Sequence, residues 1–86
     1  MYHITYTPNA IKELKKLPSN IQDRIREAIE ELEENPRHRG VEKLTTSSKI
    51  QEYRIRVGDY RIKFLIYDDI VTIFVIKIGH RKNIYN

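Results

Sequence analysis

An α+β fold is what this sequence predicts: a small, twisted, largely antiparallel sheet with an N-terminal αα-hairpin packed on one face. Three patterns carry that expectation. Apolar residues recur at helical spacing between residues 8 and 32, charged and apolar residues alternate from Glu52 to Lys63, and a β-branched run extends from Ile70 to Ile78. The expected order is β-α-α-β-β-β, in a single domain over residues 1–86 with no repeat, low-complexity tract or linker to divide it.

Tyr2-His3-Ile4-Thr5-Tyr6 alternates with period two, so a first strand turns Tyr2, Ile4 and Tyr6 toward the core. Thr7-Pro8 then opens a helix, with threonine as N-cap and proline at the first position, where no amide donor is needed. Ile11, Leu14 and Leu17 form its expected apolar stripe, and Pro18 ends it. Ser19 followed by Gln22 has the spacing of a capping box and starts a second helix. Ile21, Ile25, Ala28, Ile29 and Leu32 share one face of it, while Glu27, Glu30, Glu31, Glu33 and Glu34 cover a solvated one. Asn35-Pro36 closes the helix. Arg37-His38-Arg39-Gly40 is a basic loop, either a solvated connection or a nucleic-acid contact, and Val41 to Leu44 is a short strand or a turn.

Around Gly58-Asp59 the alternation fixes a β-hairpin and its register. Val57 faces Tyr60, Ile55 faces Ile62 and Tyr53 faces Phe64 on the side to be buried. The other side sets Arg56 against Arg61 and Arg54 against Lys63. Like charges directly across a ladder cost roughly 0.2–1 kcal/mol per pair, so a sheet shaped only by stability would avoid two such pairs in a row. A polyanion lying on that face accounts for them, with RNA phosphate the leading candidate.

Asp68-Asp69 is expected to make a second tight turn, and the run from Ile70 to Ile78 an inner strand covered on both faces. If Thr72, Phe74, Ile76 and Ile78 face the helices, Lys77 and Arg81 emerge beside Arg54, Arg56, Arg61 and Lys63, giving six cations on one surface. The charge distribution agrees. Residues 1–36 hold five Lys/Arg against seven Asp/Glu, and residues 37–86 hold eleven against five, so the halves stand at −2 and +6.

Several classes are set aside by composition. The apolar residues, 40% of the chain, are too scattered for a membrane span, and the N-terminus shows no signal-peptide pattern. Without cysteine there are no disulfides and no thiolate metal sites, which suits a reducing cytoplasm. His3, His38 and His80 show no ligand spacing, so neither metal nor cofactor is expected.

The segments AIKELKKLP and ENPR, the hairpin YRIRVGDYRIKF and the ending IGHRKNIY together resemble the RelE/ParE superfamily, the toxins of bacterial toxin–antitoxin modules. The resemblance covers essentially the whole chain and implies a RelE-like fold. On its RelE branch it implies a ribosome-dependent endonuclease that cuts mRNA and inhibits translation; on its ParE branch it implies a DNA gyrase inhibitor. The intact IGHRKNIY ending favours the first. The implied partners are the ribosome, mRNA and a cognate antitoxin.

Position by position, the resemblance implies that Arg61 holds the scissile phosphate, that Arg81 stabilises or protonates the leaving oxygen, and that Tyr85 stacks on a base. Arg54 and Arg56 stand where the RelE branch carries lysines. Because arginine stays protonated, they can neutralise phosphate but not act as general bases. Glu52 shares their face and is a candidate proton acceptor, or a structural ion pair. Lys63, Lys77, Lys82, Arg37 and Arg39 are the further candidate RNA-binding residues. His80, with an ordinary pKa of about 6.5, suits proton transfer, but strand parity points it away from Arg81. A non-catalytic RNA-binding module is the remaining alternative.

Overall fold

A computed structural model describes residues 1–44 and 51–82. Its elements are β1 (His3–Tyr6), α1 (Pro8–Lys15), α2 (Ser19–Glu31), β2 (Glu42–Lys43), β3 (Glu52–Val57), β4 (Tyr60–Tyr67), a 3₁₀ turn (Asp68–Ile70) and β5 (Thr72–His80). The five strands form one sheet in the order β1-β5-β4-β3-β2. From β2 to β5 each strand is antiparallel to the next, while β1 runs parallel to β5. The two helices therefore carry the chain from one edge of the sheet to the other. That crossing roofs one face and leaves the opposite face open. Among the described residues no helix is long and apolar enough to cross a membrane.

Thr7 is the N-cap of α1, its hydroxyl accepting from the Ala10 amide at 3.2 Å, with Pro8 opening the helix as expected. Ala10 and Leu14 face the core, whereas Ile11 is 39% exposed and stands outside the stripe expected of it. The capping box does not form. Pro18 holds the N-cap position of α2 and Ser19 lies within the helix; the Gln22 side chain instead donates to the Leu17 carbonyl at 2.8 Å. Ile25, Ile29 and Leu32 are fully buried against Tyr53, Ile55 and Val57 of β3, Ile62, Phe64 and Ile66 of β4, and Ile73, Val75 and Ile78 of β5. Burying each such side chain stabilises by about 1.5–3 kcal/mol, which is why the alternation holds through β3 and β4.

One expectation about β5 is overturned. Phe64 pairs with Val75 but Lys63 pairs with Lys77, so Ile76 is an extra residue and the strand bulges there. Ile73 and Val75, not Thr72 and Phe74, face the helices before the bulge; Ile78 faces them after it. The second turn also differs from expectation. Asp68–Ile70 form a 3₁₀ turn, Val71 takes a left-handed conformation at φ 49°, and the strand begins only at Thr72.

Candidate active site

Strands β3 and β4 meet at Gly58-Asp59, where glycine takes φ +59° and no other turn residue has positive φ, the pattern of a type II′ hairpin turn. Arg24 of α2 lays its guanidinium over this turn, 3.5 Å from where a Cβ on Gly58 would sit. The hairpin register is the expected one: Arg56 pairs with Arg61 and Arg54 with Lys63. Just past the end of β5, the Arg81 amide donates to the Asp59 carbonyl at 2.8 Å, drawing Arg81 against the turn. The result is a groove of about 510 Å³ lined by Arg54, Arg56, Arg61, Arg81 and Lys82.

Every side chain lining that groove is a cation. Arg54 is compensated: its Nε and a terminal nitrogen donate to Glu42 of β2 at 3.1 and 2.5 Å. That contact holds the Glu42 carboxyl below its ordinary value, chiefly through the hydrogen bonds from Arg54 and then through its charge. Among the described residues no carboxylate pairs with Arg56, Arg61, Arg81 or Lys82.

Arg61 is anchored by backbone instead. One terminal nitrogen donates to the carbonyls of Gly58 at 3.2 Å and Tyr60 at 3.1 Å. Among the described residues Nε and the other terminal nitrogen have no protein acceptor, and together they form a fork of the shape that suits a planar or tetrahedral anion. Desolvation, and after it the charges of Arg56, Arg54 and Arg81, lower the Arg61 pKa from its ordinary value. The sign has a plain meaning. The folded chain holds protonated Arg61 at a cost, and a bound anion removes that cost.

The structure does not bring every expected residue to the groove. Lys63 and Lys77 stand across the ladder from each other, but Lys63 lies 4.0 Å from Glu52 and Lys77 lies 3.6 Å from Glu13 of α1. Each has its own carboxylate, and neither lines the groove. The expected surface of six cations is therefore reduced, because Glu13 and Glu52 draw two of them toward carboxylates. Glu52 is thus an ion-pair partner and is not among the lining residues.

Arg37 is placed elsewhere altogether. Its guanidinium donates to both Asp68 oxygens at 3.2 and 2.9 Å, to the Tyr53 hydroxyl at 3.0 Å and to Gln51 at 2.9 Å, at the far end of β4 from the hairpin turn. Eight residues of strand, on the order of 25 Å, separate that clasp from the groove. Arg39 is exposed in the same loop and does not line the groove. His80 packs edge-on against Tyr60, ring centres 5.5 Å apart, and its Nδ1 accepts from the Lys82 amide at 3.2 Å, as its parity suggested. Tyr85 lies outside the described residues.

Three residues that matter here had escaped notice in the sequence: Glu42, Glu13 and Arg24. Nothing in their spacing marks them, since each acts on a strand or turn distant along the chain.

Comparisons with known proteins identify the family. A family model described as the ParE toxin of type II toxin–antitoxin systems, parDE, matches residues 4–85. The chain is 28% identical over 81 residues to the mRNA interferase toxin RelE of Escherichia coli (strain K12), covering 94% of this chain and 84% of that one. It is 33% identical over 87 residues to toxin RelE3 of Methanocaldococcus jannaschii, covering 96% and 94%. In three dimensions it is similar to the archaeal RelE–RelB complex from Pyrococcus horikoshii OT3, with a TM-score of 0.84, 28% identity, and coverage of 95% of this chain and 97% of that one. The chain belongs to the ParE toxin family of type II toxin–antitoxin systems, within the RelE/ParE superfamily and on its RelE branch.

Proposed function

We propose that this chain is a cytoplasmic, ribosome-dependent mRNA endonuclease, held inactive by a cognate antitoxin. One observation carries the reading: four arginines converge on one groove, three of them without a carboxylate partner among the described residues. Such a groove neutralises phosphate and, more strongly, the pentavalent phosphorane that forms from it.

In the reaction the 2′-oxygen of a nucleotide attacks the adjacent phosphorus and gives up its proton. The bond from phosphorus to the 5′-oxygen breaks, and that oxygen takes a proton, leaving a 2′,3′-cyclic phosphate and a 5′-hydroxyl. The free fork of Arg61 takes two non-bridging oxygens. Arg81, tied by its amide to the hairpin turn, serves the departing oxygen from the other side. Arg54 and Arg56 hold flanking phosphates, and Tyr85 stacks on a base. A lining made wholly of cations offers charge stabilisation and position but no strong proton acceptor. The ribosome-bound substrate completes the geometry.

The test is cleavage of mRNA on programmed ribosomes by the purified chain. Arg61→Ala and Arg81→Ala are each expected to cut roughly 100- to 1000-fold more slowly, the loss seen when one transition-state donor is removed. Intact mRNA with the wild-type chain would sink the proposal. The family model is described as a ParE toxin, and resemblance to that branch implies a second reading, inhibition of DNA gyrase without RNA cleavage. A gyrase supercoiling assay on the same preparation separates the two.

A further inference from the structure

We propose that Glu13, in the helix layer and outside the groove, is the positioning residue for Arg81; the proposal rests on the endonuclease reading of that arginine. Strand β1 pairs only with Thr72 to Val75, whereas β5 runs on to His80. Past Val75, the edge of β5 that faced β1 has no neighbouring strand.

Helix α1 takes over that edge. The Thr7 amide donates to the Val75 carbonyl at 3.0 Å and closes the ladder. Two turns later along α1, Glu13 Oε1 accepts from the Ile78 amide at 2.8 Å, and Oε2 stands 3.6 Å from Lys77 Nζ. The carboxylate does for Ile78 what a strand carbonyl would do.

Its place in the register gives the bond its meaning. Ile78 immediately precedes Gly79, which is the ladder partner of Arg61, and Arg81 follows two residues later. On the β4 side the segment is held by the pairs Ile62–Ile78, Arg61–Gly79 and Tyr60–His80, and by the bond from Arg81 to Asp59. On the other side the Thr7 hydroxyl donates to the Ile76 carbonyl at 3.5 Å, and from Ile78 onward, among the described residues, Glu13 is the one hydrogen-bonded anchor. Strand ends open more readily than strand centres. Displacing a catalytic group by about 1 Å costs on the order of 100-fold in rate. Glu13 therefore sets where Arg81 stands relative to Arg61 while touching neither RNA nor the groove.

Three variants of the full chain test this on programmed ribosomes. Glu13→Asp keeps the charge but shortens the reach, and Glu13→Ala removes the acceptor. Both are expected to lower kcat by about 10- to 100-fold with KM for programmed ribosomes little changed, since Arg54, Arg56 and Arg61 still hold the phosphates. Glu13→Gln keeps an oxygen for the Ile78 amide and is expected to restore most of kcat. Amide exchange at Ile78 and Arg81 should quicken in the Asp and Ala variants and stay slow in Gln. Wild-type kcat in Glu13→Asp, a Gln variant as poor as Ala, or unchanged Ile78 exchange would each overturn the proposal. A wild-type chain that cuts no mRNA would remove the endonuclease reading instead, and exchange at Ile78 and Arg81 would still decide whether Glu13 fixes this segment.

Discussion

Arg56 and Arg61 face each other across the β3–β4 ladder, and among the described residues neither pairs with a carboxylate. The arrangement opposes stability and serves binding, so the two effects should separate on mutation. Arg56→Gln leaves the strand and its buried face intact while removing one of the opposed charges. It is expected to stabilise the free protein by about 0.2–1 kcal/mol, read from urea or thermal unfolding, and to slow RNA cleavage. A variant both less stable and equally active would show that the arginine is there for the fold.

Glu42 restrains Arg54 through a pair of hydrogen bonds on the open face. Glu42→Gln weakens that restraint and frees a guanidinium for one more phosphate. Binding of a short single-stranded RNA is expected to tighten, and the slope of log affinity against log salt to steepen by about 0.7, the contribution of one additional phosphate contact. An unchanged slope would mean that Arg54 already reaches phosphate with Glu42 in place.

The hairpin and its cations were legible in the sequence because alternation leaves little freedom: once Gly58-Asp59 is the turn, every partner from Val57–Tyr60 to Arg54–Lys63 follows. The bulge at Ile76 was not. In a run of Ile, Val, Thr and Phe either parity places an apolar side chain on the core, so nothing marks where one residue slips out of step. Expected parity consequently holds at Ile78 and fails at Ile73 and Val75. The surroundings of Arg37 were not legible for another reason. Its partner Asp68 lies 31 residues away, and no local pattern says which carboxylate a loop arginine will meet. A longer separation, 65 residues, hid Glu13 from Ile78.

That clasp between Arg37 and Asp68 is expected to make stability depend on pH at the acid end. The hydrogen bonds from Arg37, and then from the Tyr2 hydroxyl at 2.7 Å, hold the Asp68 carboxyl below its ordinary 3.8. A depressed carboxyl stabilises fully above its unfolded value of about 3.9, and the contribution is lost as pH falls through the folded value. Asp68 is half exposed, so the pair is worth at most about 1 kcal/mol. Wild type should exceed Asp68→Asn in stability at pH 7, and the gap should close as pH drops below about 4. Tyr2 works in the opposite sense. Its hydrogen bond to Asp68 raises the phenol above 10.0, so its contribution is present at neutral pH and lost as pH rises through the folded value. A gap between wild type and Asp68→Asn that stayed constant from pH 7 to pH 2 would refute the linkage.

Val71 offers a separate test, one that leaves the groove untouched. It caps the 3₁₀ turn in the left-handed region at φ 49°, a conformation in which a β-branched residue is strained by roughly 1–2 kcal/mol. The strain has little to offset it, since the side chain is 41% exposed and the required bond, from the Val71 amide to the Asp68 carbonyl at 3.2 Å, belongs to the backbone. Glycine adopts the same φ without the Cβ clash, although it gives up more chain entropy on folding, by roughly 0.5–1 kcal/mol. The first effect exceeds the second. Val71→Gly is therefore expected to stabilise the protein by about 0.5–1 kcal/mol, visible as a higher midpoint in urea, with cleavage unchanged because Val71 lies at the opposite end of the sheet from Arg61. A loss of stability would mean that the exposed valine packs against its neighbours more strongly than its backbone is strained.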